Sequence, residues 1–207
     1  DNYWALEYTS GPHVDLTYVK HIHQYYNYFY KKNIGVDIVP FDCDFSQYKI
    51  IVAPVLYMVK EGMQEALEEF VKNGGILITT YMSGIVDQSD NVHLGGYPGP
   101  LRKLAGIWVE EIDALAPELT NTVRFNDGTE YSCNLLYDIM HLEGAEQIAE
   151  YGKDFYAKSP AITKNKYGKG TTYYIGTNPE ENGLKKVLDM AVKEAKVKPV
   201  INEETKL

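Results

Sequence analysis

Lys49 to Tyr81 reads KIIVAPVLYMVKEGMQEALEEFVKNGGILITTY, and three features of this stretch decide the fold class. Lys49–Pro54 is a near-continuous apolar run rich in β-branched residues, the pattern of a strand buried on both faces of a parallel sheet. Gly62–Asn73 then sets Met63, Ala66, Leu67, Phe70 and Val71 on one helical face, and Gly74 stands where a left-handed turn ends a helix. Ile76–Tyr81 (ILITTY) is a second buried strand. Strand, helix and strand in this order imply a right-handed crossover, and hence an α/β sheet covered by helices on both faces.

The pattern continues outward from this unit. Asp15–Asn33 predicts a helix capped by Asp15, with Leu16, Val19, Ile22, Tyr26, Phe29 and Tyr30 recurring at helical spacing. Val36–Pro40 predicts a short strand. Downstream, a long loop, Ser83–Gly99, leads to a short helix near Pro100–Ala105. Two hairpins follow: Thr122–Phe125 and Glu130–Cys133 flank Asp127-Gly128, and Ala161–Lys164 and Thr171–Ile175 flank Tyr167-Gly168-Lys169-Gly170. A last helix is expected over Glu180–Lys196. The reading is a parallel α/β layer with antiparallel hairpin additions.

Composition narrows the function. At 207 residues, 44% hydrophobic and 24% charged, the chain is one globular domain able to bury a core without staples. The net charge of −9 leaves no basic cluster beyond Lys31-Lys32 and Lys185-Lys186, which argues against nucleic acid and anionic membranes as partners. The longest uncharged run, Asn73–Val86, falls short of the ~20 apolar residues a spanning helix needs. Asp1-Asn2-Tyr3-Trp4 has neither the basic start nor the apolar core of a signal peptide. Cys43 and Cys133 stand far apart in unlike contexts, so a reducing, cytoplasmic setting is expected. The 18 tyrosines suggest wet interfaces.

Candidate chemistry is thin. Tyr81-Met82-Ser83-Gly84 follows a buried strand, where amidotransferase-like proteins hold a nucleophilic cysteine on a sharp turn, yet no thiol stands there. Ser83 with His141-Leu142-Glu143 is the nearest substitute for a nucleophile, base and orienting carboxylate. Asp42-Cys43-Asp44 resembles the paired aspartates of haloacid-dehalogenase-type phosphohydrolases, but Asp87 and Asp90 come too early to complete a Mg²⁺ site. His21 and His23 lie two apart on a helix and point to different faces, while His13, His93 and His141 are isolated, so no metal site is readable. Gly95-Gly96-Tyr97-Pro98-Gly99 lacks the spacing of a phosphate cradle, and Gly168-Lys169-Gly170-Thr171 reads as a hairpin turn. The expectation is no catalytic residue, no cofactor and no metal.

The phrases Tyr48–Pro54, Thr79–Asp87, Val92–Arg102 (VHLGGYPGPLR) and Gly106–Glu111 together resemble the trimerisation domain of the bacterial β-galactosidases of glycoside hydrolase family 42. The resemblance covers roughly Tyr3 to Val197. It implies a flavodoxin-like fold related to class I glutamine amidotransferases without their nucleophile, in agreement with Met82. It further implies a three-part enzyme: a (β/α)8 barrel, this middle domain and a small β-sandwich. That enzyme would hydrolyse terminal β-D-galactosides with retention, by two glutamates ~5–5.5 Å apart. Those glutamates belong to barrel strands, and a barrel of ~250 residues has no room here. The family's domain also begins with a strand just before the residues matching Asp1-Asn2-Tyr3-Trp4. The expected organisation is a domain over residues 1–198 and a tail or linker over 199–207.

Two functions compete. In the first, the chain is a non-catalytic module that holds catalytic barrels in a homotrimer. His93 and Tyr97 on the long loop then contact another subunit or cover a neighbouring barrel's mouth, since loops of this length tend to be functional. In the second, it is a free-standing hydrolase, amidotransferase-like through Ser83 and His141 or phosphatase-like through Asp42.

Overall fold

The computed structural model describes residues 1–7 and 11–201. Its elements run α1 (Asn2–Glu7), α2 (Tyr18–Lys31), β1 (Ile50–Ala53), α3 (Met63–Lys72), β2 (Ile76–Thr80), α4 (Arg102–Ala105) and β3 (Ile107–Ala114). Then come β4 (Asn121–Phe125), β5 (Glu130–Leu142), β6 (Glu146–Tyr151), β7 (Pro160–Tyr167), β8 (Gly170–Ile175), β9 (Thr177–Pro179) and α5 (Glu181–Glu194). The strands form one sheet in the order β1-β2-β8-β7-β6-β4-β5-β3, with β9 added to β5.

The central β–α–β unit forms as read. Ile50–Ala53 pair in parallel with Ile76–Thr79, and β2 pairs in parallel with β8. Alternation along β2 sends neighbouring side chains to opposite faces. Leu77 packs with Leu67, Phe70 and Val71 of α3, while Ile76 and Ile78 pack with Tyr25 and Phe29 of α2 and Val187 and Leu188 of α5. Helices therefore cover both faces, and each fully buried aliphatic side chain contributes about 1.5–3 kcal/mol.

The sheet as a whole corrects the parallel reading, because the remaining strand pairs are antiparallel. Both hairpins occur, at Asp127-Gly128 between β4 and β5 and at Gly168-Lys169 between β7 and β8. They are not trimmings on a parallel layer. β5 runs for 13 residues, long enough to hold β4, β3 and β9. The fold is mixed α/β around one mostly antiparallel sheet.

Two further expectations are corrected. Val36–Pro40 is extended but pairs with no strand, and Ile38 is 86% exposed. Its apolar pattern suits a strand, yet a strand needs a neighbour, and among the described residues β1 pairs only with β2. α2 starts at Tyr18 after Thr17, not after Asp15, because the Asp15 amide is held instead by His13 Nδ1 at 3.0 Å. Part of the tyrosine surplus packs in the core: Tyr137 and Tyr156 each meet Tyr151 edge to face, and the Tyr151 hydroxyl donates to the carbonyls of Asp138 and Gly176, while Tyr3, Tyr26 and Tyr30 are exposed. The tail reading of 199–207 lies largely outside the described residues.

Candidate subunit-contact site

The turn after β2 has the geometry of a nucleophile elbow without its chemistry. Met82 adopts φ +57°, a left-handed conformation that costs a non-glycine residue of order 1–3 kcal/mol unless its surroundings impose it. Its side chain is buried with Leu6, Leu16, Val55 and Leu136. Ser83 is fully buried: its Oγ lies 2.9 Å from Thr79 Oγ1 and accepts the Leu56 amide at 3.0 Å. These bonds clip the elbow to the segment following β1.

His141 sits elsewhere, exposed at the end of β5, with Nε2 2.6 Å from Glu110 Oε2. Glu143 serves Arg102 instead: the Arg102 Nε donates to it at 2.6 Å and Nη2 makes the second arm of the fork. That guanidinium holds the Glu143 carboxyl below the usual range. Ser83 is thus buried and bonded to Leu56 and Thr79, while His141 and Glu143 are exposed and bonded to Glu110 and Arg102. Asp42 is exposed, and Asp44 caps a short 3₁₀ turn by accepting the Ser46 amide at 2.9 Å, which keeps its carboxyl ionised to lower pH. No trio of metal-ligating side chains converges among the described residues.

What the structure does build is a braced loop over the β3 edge of the sheet. The Asp87 carboxylate accepts the amides of Asn91 and Ser89, and these bonds lower its pKa. The His93 amide donates to the Ile85 carbonyl at 2.9 Å, and Val86 bridges both Met58 and Val92. Further along, Arg102 Nη1 donates to the Gly95 carbonyl at 2.8 Å, and the Val109 amide donates to the Tyr97 carbonyl at 2.8 Å. Gly96 explains the double glycine: at φ +90°, a Cβ there would lie 2.1 Å from Trp108 Nε1. Trp108 has the Arg102 guanidinium 5.6 Å from its ring and the His141 ring stacked on it at 4.9 Å.

The two residues singled out on this loop, His93 and Tyr97, are half-buried. Tyr97 packs toward the core around Val109 and Ile85, and Nε2 of His93 is buried. Their main chains brace the loop, while each side chain keeps part of its surface open. The large apolar side chains that the loop presents outward are Leu94, 97% exposed, and Val92, 55% exposed. Sequence reading passed over them because an apolar residue among glycines carries no periodic signal. The glycines themselves were the legible clue that a backbone was being brought close to something large.

Comparison with known proteins places this arrangement. A family model described as the β-galactosidase trimerisation domain matches residues 1–198. The chain belongs to that family. Its relatives include the β-galactosidase BgaP of Planococcus sp. strain L4, 50% identical over 98% of this chain and 31% of that protein. The β-galactosidase LacA of Lactobacillus acidophilus is 47% identical, over all of this chain and again 31% of that protein. Among solved structures, the β-galactosidase from Bacillus circulans sp. alkalophilus superposes with a TM-score of 0.94 at 46% identity, covering 97% of this chain and 30% of that one. Gan42B, a GH42 β-galactosidase from G. stearothermophilus, gives 0.91 at 37% identity, covering 97% of this chain and 29% of that one. The chain thus spans about a third of the length of the relatives it matches. For the trimerisation domain, the free-standing hydrolase readings through Ser83 or Asp42 find no support.

Proposed function

We infer that this domain assembles a β-galactosidase into a homotrimer and so holds the barrels that hydrolyse terminal β-D-galactosides, while contributing no catalytic residue of its own. The match to a trimerisation domain along residues 1–198 carries the reading. The elbow supports it: an apolar Met82 fills the nucleophile's place and Ser83 is spent on backbone clipping. We take the long loop over β3 as a contact to another subunit or a cover for a neighbouring barrel. The parallel segment β1-β2-β8, flanked by helices on both faces, is read as the flavodoxin-like and amidotransferase-related part of the fold. The two free cysteines suit a cytoplasmic setting.

The domain's limits, residues 1–198 with a following linker, belong to the same proposal. So does one further strand. A groove of ≈810 Å³ runs beside the open edge of β1, lined by Tyr25, Phe29, Ile34, Val36 and Ile50. Asp1 is ion-paired to Lys60, and the Asn2 side chain accepts the Met58 amide, both just past the C-terminal end of β1. An extended segment leading into Asp1 would run parallel to β1 and fill that groove, with the apolar Val36–Pro40 segment as its outer wall.

Light scattering on the full-length protein, across a concentration series, tests the assembly reading. A mass three times that of one polypeptide, together with release of the sugar from a β-D-galactoside, is expected. A concentration-independent monomer would overturn the reading.

A further inference from the structure

We propose that Leu94, with Val92 beside it, is the apolar anchor by which this domain grips a neighbouring subunit of the same polypeptide. The proposal deepens the assembly reading and rests on it. A leucine that is 97% exposed on a loop tip is ordinarily a pliant and unremarked surface residue. This tip is different because both of its flanks are pinned. On the N-terminal side, Val92 bridges Val86 and the His93 amide is bonded to Ile85. On the C-terminal side, Arg102 holds the Gly95 carbonyl, and Gly96 lies against Trp108 too closely for any side chain.

A backbone fixed before contact loses little conformational entropy on docking, so most of the burial energy of its side chain is available to binding. An apolar anchor of that kind works best inside a polar rim that excludes water. Here the Arg102–Glu143 pair grips the same loop at Gly95, and His141, paired with Glu110, stacks on the Trp108 ring that Gly96 lies against. The occupant follows from the domain's family role and from symmetry. A three-membered ring uses heterologous contacts, in which a projection on one subunit meets a different surface on the next, and a pinned knob is suited to that use. His93 and Tyr97 stay half-buried beside this tip, and Leu94 and Val92 are its exposed large apolar side chains.

Sedimentation equilibrium on the full-length protein and its Leu94→Asp and Leu94→Met variants tests the proposal, with circular dichroism as the folding control. Truncating an interface anchor weakens association by a factor of about 30 or more. The expected result is a trimer for wild type and Leu94→Met, and dissociation at least that much easier for a folded Leu94→Asp. A Leu94→Asp protein that dissociates no more readily than wild type overturns the proposal and leaves the assembly reading standing. A monomeric wild type overturns both. Should Leu94→Asp fail to fold, Leu94→Ala replaces it, and unchanged association of that variant is equally fatal.

Discussion

The two ends of the sheet are treated in opposite ways. At the β3 end the chain closes its own edge: Tyr97 bridges Val109, Arg102 ties Gly95 to Glu143, and Gly96 lies on Trp108. At the β1 end nothing among the described residues pairs with the outer side of the strand, and Val36–Pro40 stands off across an apolar groove. An exposed strand edge is a template for another chain unless it is blunted. One end has therefore been made safe and rigid, and carries an anchor for a neighbour. The other is left open along the outer side of β1 among the described residues.

The largest effect expected is at neither end, and it calibrates both. Asp138 is fully buried mid-sheet, and burial pushes its carboxyl up to about 7, with the Tyr174 hydroxyl donating to it at 2.6 Å. Its folded pKa lies above the unfolded one, so the folded state holds the extra proton. Its stabilising contribution is complete below about pH 4 and is lost as pH rises through 7, at up to about 1.4 kcal/mol per pH unit. Asp138→Asn should flatten that slope in urea titrations between pH 4 and 8, and leave association of the folded protein unchanged. A change in association would break the separation between core and edges.

Gly96→Ala comes next. Its Cβ would collide with Trp108 and sit at a positive φ, so a loss of about 1–3 kcal/mol is expected in thermal unfolding, with weaker assembly. An unaltered melt would mean that the β3 end is not rigidly closed. Ser83→Ala removes the acceptor of the buried Leu56 amide and should cost about 1–2 kcal/mol while leaving galactosidase turnover intact. Loss of turnover in a folded Ser83→Ala protein would revive a catalytic elbow. The smallest effect is at the open end. Ile38→Ser should scarcely move the stability of the 207-residue chain, since Ile38 is 86% exposed there. On the proposal that a strand fills the groove in the full-length protein, the same substitution should lower that protein's stability.

The two ends also differed in how well they could be read. β1, α3 and β2 were legible because a buried parallel strand and an amphipathic helix write their burial into period and length. The hairpins were marked by Asp127-Gly128 and Tyr167–Gly170, but not their dominance, since β3 (IWVEEIDA) and β6 (EQIAEY) lack a clean period-2 alternation and signal no partner. Val36–Pro40 misled for a related reason: its residues suit a strand, and pairing depends on what lies alongside. At the site, the hydrogen bond that His141 makes was not legible, because its partner Glu110 lies 31 residues away and only the β3–β5 register brings them together. Leu94 matters by exposure alone, which no local pattern encodes.

The most direct test of the contrast is amide hydrogen exchange on the full-length protein, above and below the concentration at which it assembles. Assembly should slow exchange across residues 92–96 and leave residues 50–53 unchanged. Slowed exchange at 50–53, with none at 92–96, would place the subunit contact at the opposite end of the sheet and contradict the account.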